Sequence, residues 1–224
     1  MGIQIQGNGG AIAEVDGTTF RAQRSVLRPT DYGALGSYSA APLGGVIPAA
    51  LAANSELFQF RWSDATRLAV INKVTLSAIV TTTFFAAGVP LQFKMIKATG
   101  WTVAGSGGTR VTPGTDLKKR TSMGSSLVAA SDIGIITTAA LTAGTKTLET
   151  TAISMLVAPG PITASLNGLI LAPGTVLFEA MQSRGEHPLV LAQNEGFVIT
   201  SVAVPATGTW MIAVTVDWTE VTAY

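Results

Sequence analysis

From residue 56 onward, apolar and polar side chains alternate with a period of two, the pattern of strands that bury one face. In LFQFRW, Phe58, Phe60 and Trp62 share one face while Gln59 and Arg61 share the other. LQFKMIKATGW repeats this, with Leu91, Phe93 and Met95 set against Gln92 and Lys94. The closing stretch 209–221 is the longest. Trp210, Ile212, Val214, Val216 and Trp218 form its apolar face, and Met211, Ala213, Thr215, Asp217 and Thr219 a small, mildly polar one. Further strands are expected at 176–181, 188–192 and 197–204. Ser63 and Asp64 suit a helix N-cap, but LAVINKVTLSAIVTTTF follows, dense in β-branched residues that prefer strands. Between 117 and 160, small residues, threonine and glycine point to short strands joined by turns such as Ala143-Gly144. Asn194-Glu195-Gly196 and Pro205-Ala206-Thr207-Gly208 have the length of hairpin turns. Short strands without helix-period windows predict an all-β chain, an antiparallel β-sandwich of jelly-roll-like type.

Residues 1–50 read differently. They are rich in Gly, Ala and Pro and carry the basic residues Arg21, Arg24 and Arg28. Asp16-Gly17 is a turn signal, Gly44-Gly45 a breaker, and Pro42 and Pro48 lack backbone donors. The division expected is an extended N-terminal arm, 1–50, followed by a sandwich domain, 51–224. A β-meander edge of the main domain is the other reading of the same stretch.

Composition changes the picture in one respect. Only 12% of residues are charged and the formal net charge is +1, against roughly 25% charged in an ordinary soluble domain. A basic nucleic-acid surface is therefore not expected. A surface so poor in charge suits assembly interfaces. The chain has no cysteine, which removes disulfides, thiolate metal sites and a cysteine nucleophile. No run is long and apolar enough for a membrane-spanning helix, and MGIQIQGNGG does not read as a signal peptide.

Candidate chemistry is sparse. His187, the only histidine, stands at the mouth of a predicted strand without histidine or cysteine companions, and reads as a rim residue. Glycines at 7–10 and 105–109 lack the spacing of a phosphate loop and read as flexible turns. Lys118-Lys119-Arg120 is a short basic run, of the kind that is solvated or contacts an acidic neighbour. The thirteen acids fall in no spacing that demands a catalytic cleft. Trp62, Trp210 and Trp218 alternate with core-type residues and are expected inside, not on a sugar platform. No catalytic residue, metal or cofactor is assigned.

FRWSDATRLAVINKVTLSA, RTSMGSSL, EHPLVLAQNEGFVIT and ATGTWMIAVTVDWTEV together resemble structural proteins of tailed-phage virions, over roughly residues 35–224. The resemblance implies particle architecture rather than a reaction, in β-rich decoration, cement or fibre-base components that are frequently trimeric. The expectation is a capsid decoration or cement protein, made in the host cytoplasm and located in the virion. Its shell contact is placed in the 1–50 arm with Arg21, Arg24 and Arg28, against the major capsid protein or another virion protein. A homotrimer contact is placed near Ala213 and Thr215 on the second face of the last strand. The alternative is a head-fibre or tail-associated protein that binds a host receptor or glycan.

Overall fold

The computed structural model describes residues 5–6, 12–13, 36–48, 50–86, 88, 90–112, 117–160, 168–181, 186–204 and 207–224. Among these there is no helix. The strands are β1 (Ile5–Gln6), β2 (Ile12–Ala13), β3 (Gly36–Ala40), β4 (Ile47–Pro48), β5 (Glu56–Trp62), β6 (Leu68–Val80), β7 (Pro90–Val103), β8 (Thr109–Arg110), β9 (Ile133–Ile135), β10 (Thr145–Leu148), β11 (Ser154–Pro159), β12 (Leu169–Glu179), β13 (Leu189–Leu191), β14 (Glu195–Ser201) and β15 (Thr209–Val221). Beyond the short β1–β2 pair they form two antiparallel sheets packed face to face. The first runs β12-β6-β15-β3, with β13 on β6 and β4 on β15; the second runs β10-β7-β14-β5-β9-β8, with β11 on β7. The expected β-sandwich is what the chain forms.

The strands pair from the two ends of the chain inward. β3 lies on β15, β5 on β14, β6 on β12 and β13, and β7 on β10 and β11. Successive pairs alternate between the two sheets. This nesting corrects the reading of two turns. Asn194, in the left-handed region at φ 61, links β13 in the first sheet to β14 in the second, and the 202–208 connection returns to β15. Both are crossings between sheets, not hairpins, because every strand they join already has a partner from elsewhere in the chain.

The core lies between the sheets, and the period-two pattern places it. Trp210, Ile212, Val214, Val216 and Trp218 are all fully buried, as are Phe58, Phe60 and Trp62 from the facing sheet. Phe60 stacks on Phe197 at 5.5 Å and meets Trp218 edge-on at 5.4 Å, while Tyr38 stacks on Trp218 at 5.6 Å. Such aromatic pairs add to the stabilisation from burial alone. Trp62 satisfies its ring N–H by donating to the Arg67 carbonyl at 2.8 Å.

Three expectations change. Residues 36–48, assigned to the arm, belong to the first sheet: β3 and β4 pair with β15, and Tyr38, Ala40 and Ile47 are core residues. Thr219, expected on the mildly polar outer face, is 2% exposed: its hydroxyl accepts from Asn72 Nδ2 at 2.9 Å, at the point where the register with β6 shifts, and lies 3.4 Å from Ser37 Oγ. Gln59, read as a polar residue of a solvent face, is 0% exposed. The chain beyond β7 folds back over that face.

Candidate functional site

The cover over Gln59 is built from two distant stretches. Thr142 N–H donates to the Ser106 carbonyl at 3.0 Å, and Ser106 N–H to Thr142 Oγ1 at 2.7 Å. Leu141 N–H reaches the Glu56 carbonyl at 3.0 Å, which fastens this flap to β5. Gly105 packs directly on the Gln59 carboxamide; a Cβ there would fall 2.5 Å from Oε1 and 2.2 Å from the Thr142 carbonyl. The glycine read as part of a flexible turn is thus required by close approach. Gly196 does the same for Trp101, whose ring would lie 2.9 Å from any Cβ at that position. Trp101 is buried with Ala98 and Val198 in a second, smaller cluster outside the main core.

Beneath the flap lies a buried polar network. Gln59 Nε2 donates to Glu56 Oε2 at 2.6 Å and to the Thr142 carbonyl at 2.8 Å, and Gln59 Oε1 accepts from Arg110 Nη1 at 3.1 Å. These partners fix the carboxamide orientation, because arginine only donates and a carbonyl only accepts. Lys146 Nζ lies 2.9 Å from the same Glu56 oxygen, donates to the Ala143 carbonyl, and sits 4.2 Å from the centre of the Trp101 ring. Its side chain is only 2% exposed. Burial pushes the Lys146 ammonium down from its ordinary range, opposed by its bond to Glu56. Arg110 is likewise lowered by burial, opposed by Asp132 and Glu56. Asp132 extends the network: it meets Arg61 at 3.3 Å and accepts from the Ser63 hydroxyl, while burial raises its carboxyl. A network with this many satisfied members orients its groups sharply. Nothing in the sequence signals it, since Lys146 and Glu56 are 90 residues apart.

Among the described residues, several large apolar side chains reach solvent on the outer face of the first sheet. Ala213 and Thr215 lie there, half-buried, opposite Ser77 and Thr75 of β6. Met211 pairs with Ile79, which pairs in turn with Leu169, and Leu43 bridges to Ala213. Leu43, Ile79, Leu169 and Val176 are exposed, Leu43 at 59%. The charges at the far end are paired within the chain: Lys73 with Glu179 at 3.2 Å, and Lys119 with Asp217 at 2.9 Å. The basic run at 118–120 therefore contacts an acidic neighbour of its own chain. Arg21, Arg24 and Arg28 lie outside the described residues. His187 is exposed, hydrogen-bonded at Nδ1 to the Pro188 carbonyl and set edge-on against Tyr224 at 5.0 Å. No group of three or more His, Asp or Glu among the described residues is placed to hold a metal. No protein-family model, curated protein or solved structure matches the chain.

Proposed function

We propose that this chain is a virion structural protein of a tailed phage, a decoration or cement protein that stabilises the head shell by protein–protein contact. The observation that carries the reading is the group of exposed apolar side chains on the outer face of the first sheet, away from its two internal ion pairs. A monomer's exposed sheet normally carries lysine and glutamate to discourage edge and face association; here Leu43, Met211, Ala213, Thr215, Ile79, Leu169 and Val176 stand in their place. The occupant we assign to this face is a second copy of the chain, closing as a homotrimer, with the shell contact left to the 1–50 region and Arg21, Arg24 and Arg28.

The nested pairing of first strands with last supports a jelly-roll reading, a fold used by viral coats but also by lectins and cupins. Fold alone does not separate these. The tryptophans bear on the choice: Trp62, Trp101, Trp210 and Trp218 are each at most 1% exposed. That favours cement over the receptor- or glycan-binding alternative, which needs an aromatic platform in reach of solvent. The test is localisation of the protein in particle reconstructions together with light scattering of the purified chain. A trimer that Ala213→Lys dissociates, with the monomer still folded, is the expected result. A wild-type monomer, or a trimer indifferent to lysine at 213, overturns this assembly face.

A further inference from the structure

Three groups under the flap stand in the relation of an amine nucleophile, a proton carrier and a carboxamide acceptor. Lys146 Nζ and Gln59 Nε2 both bind one atom, Glu56 Oε2, at 2.9 and 2.6 Å. Gln59 Oε1 faces the Arg110 guanidinium at 3.1 Å. Gln59 is 0% exposed and the Lys146 and Glu56 side chains 2% and 7%, so water, the competing nucleophile, has little access to the amine and the carboxamide. We propose that the cluster forms an isopeptide bond between Lys146 and Gln59, with Glu56 as acid–base catalyst and Arg110 as donor to the developing oxyanion.

The steps balance without any co-reactant. Lys146 passes a proton to Glu56 Oε2, and the freed lone pair attacks Gln59 Cδ, forming the Cδ–Nζ bond. Negative charge gathers on Oε1, where Arg110 Nη1 already donates. Glu56 returns its proton to Nε2, the Cδ–Nε2 bond breaks, and ammonia leaves. The surplus Nζ proton departs with it as ammonium. Glu56 ends as it began, and nothing is oxidised or reduced. Burial lowers the cost of the neutral amine, and the shared oxygen holds both partners in place so that the reaction is intramolecular. The other Gln59 N–H, bound to the Thr142 carbonyl at 2.8 Å, fixes the carboxamide plane against the approaching amine. The product would staple β10 to β5 across the two strands between them. It rests on this cluster alone and is independent of the assembly role.

The experiment is intact-mass spectrometry of the full-length folded protein, followed by tandem mass spectrometry of a digest. The wild type is expected to weigh less than its sequence by one ammonia, about 17 Da, with the Gln59 peptide joined to the Lys146 peptide. Lys146→Arg keeps a cation beside Glu56 but supplies no primary amine, and should weigh its full sequence mass. Glu56→Gln, which keeps the shape but not the proton transfer, should form the bond at least about 100-fold more slowly. Full sequence mass in folded wild type after prolonged incubation overturns the proposal. So does an ammonia loss that persists in Lys146→Arg, since it then arises elsewhere.

Discussion

The two sheets start from the same kind of strand and end with opposite outer faces. β5 alternates Phe58, Gln59, Phe60 and Arg61, and β15 alternates Trp210, Met211, Ile212 and Ala213. Inward, the two behave alike. Outward, Gln59 lies fully buried under the 104–106 and 141–144 flap in a network of charges, whereas Met211 and Ala213 are half-buried beside the exposed Ile79. Charged and amide side chains are buried on the covered face while Ile79, Leu169 and Val176 are exposed on the open one, the reverse of what solvent contact alone would select. The buried polar groups are tolerable because most find a partner, Arg61 Nε and Arg110 Nη2 being exceptions. The exposed apolar side chains of the open face suit the subunit contact proposed above.

The largest expected effect tests the cover. Trp101→Ala should cost about 3–5 kcal/mol, because a buried ring is lost and a cavity left. In the Ala213→Lys background, where the open face is expected to be free, Ile79→Ala should change stability by less than about 1 kcal/mol. Denaturant midpoints of the two variants measure the contrast. Equal losses would mean that the two faces are equally buried.

Gly105→Ala comes next. Its Cβ would press on the Thr142 carbonyl and the Gln59 carboxamide, at an overpacking cost of about 1–3 kcal/mol. Gly124, with nothing within 4 Å of a Cβ, should accept alanine within about 0.5 kcal/mol. Thermal melts of the pair separate a glycine needed for close approach from one that is merely in a loop.

A third effect concerns the strap that runs from 117 to 128 along the edge of the first sheet. Ser39 N–H donates to the Leu117 carbonyl at 2.9 Å and Lys119 N–H to the Ser37 carbonyl at 3.0 Å. Its far end is held by Glu220, which accepts from Ser126 Oγ at 2.6 Å, from Leu127 N–H at 3.1 Å and from Trp218 Nε1 at 3.2 Å. Burial raises this carboxyl above its ordinary 4.5, against those hydrogen bonds. A folded-state pKa raised above the unfolded value gives a contribution that is complete below the unfolded pKa and is lost as pH rises through the folded one. Wild type should therefore lose stability relative to Glu220→Gln as pH rises above the ordinary carboxylate value. Unfolding free energies across that range would show a pH-independent difference if Glu220 had no raised pKa.

The smallest effect is at His187. Exposed beside Tyr224, it should tolerate glutamine within about 0.5 kcal/mol and leave assembly unchanged. A larger loss on denaturation would place the ring in a buried contact.

Much of the fold was legible because strand periodicity reports which face is apolar, and one apolar face per strand is enough to specify a sandwich. The β15 core face and Leu91, Phe93 and Met95 on β7 were read directly from that alternation. Gln59 was misread for the same reason: period two assigns a residue to a face but not to what covers that face. The lysine in AGTKTLET carries no local signal either, because its partners Glu56 and Trp101 come from β5 and β7, far along the chain.

By itself, then, the sequence determined the class of fold, the inward-facing residues and the shortage of surface charge, all consequences of local pattern and composition. Tertiary structure alone decided that the first strands pair with the last, that residues 36–48 join the sheet, and that Glu56, Gln59, Arg110 and Lys146 meet in one enclosed cluster. The physical reason is that hydrogen bonds between strands and contacts across a flap depend on which distant segments can bury their surfaces together, and no local window of the chain contains that information.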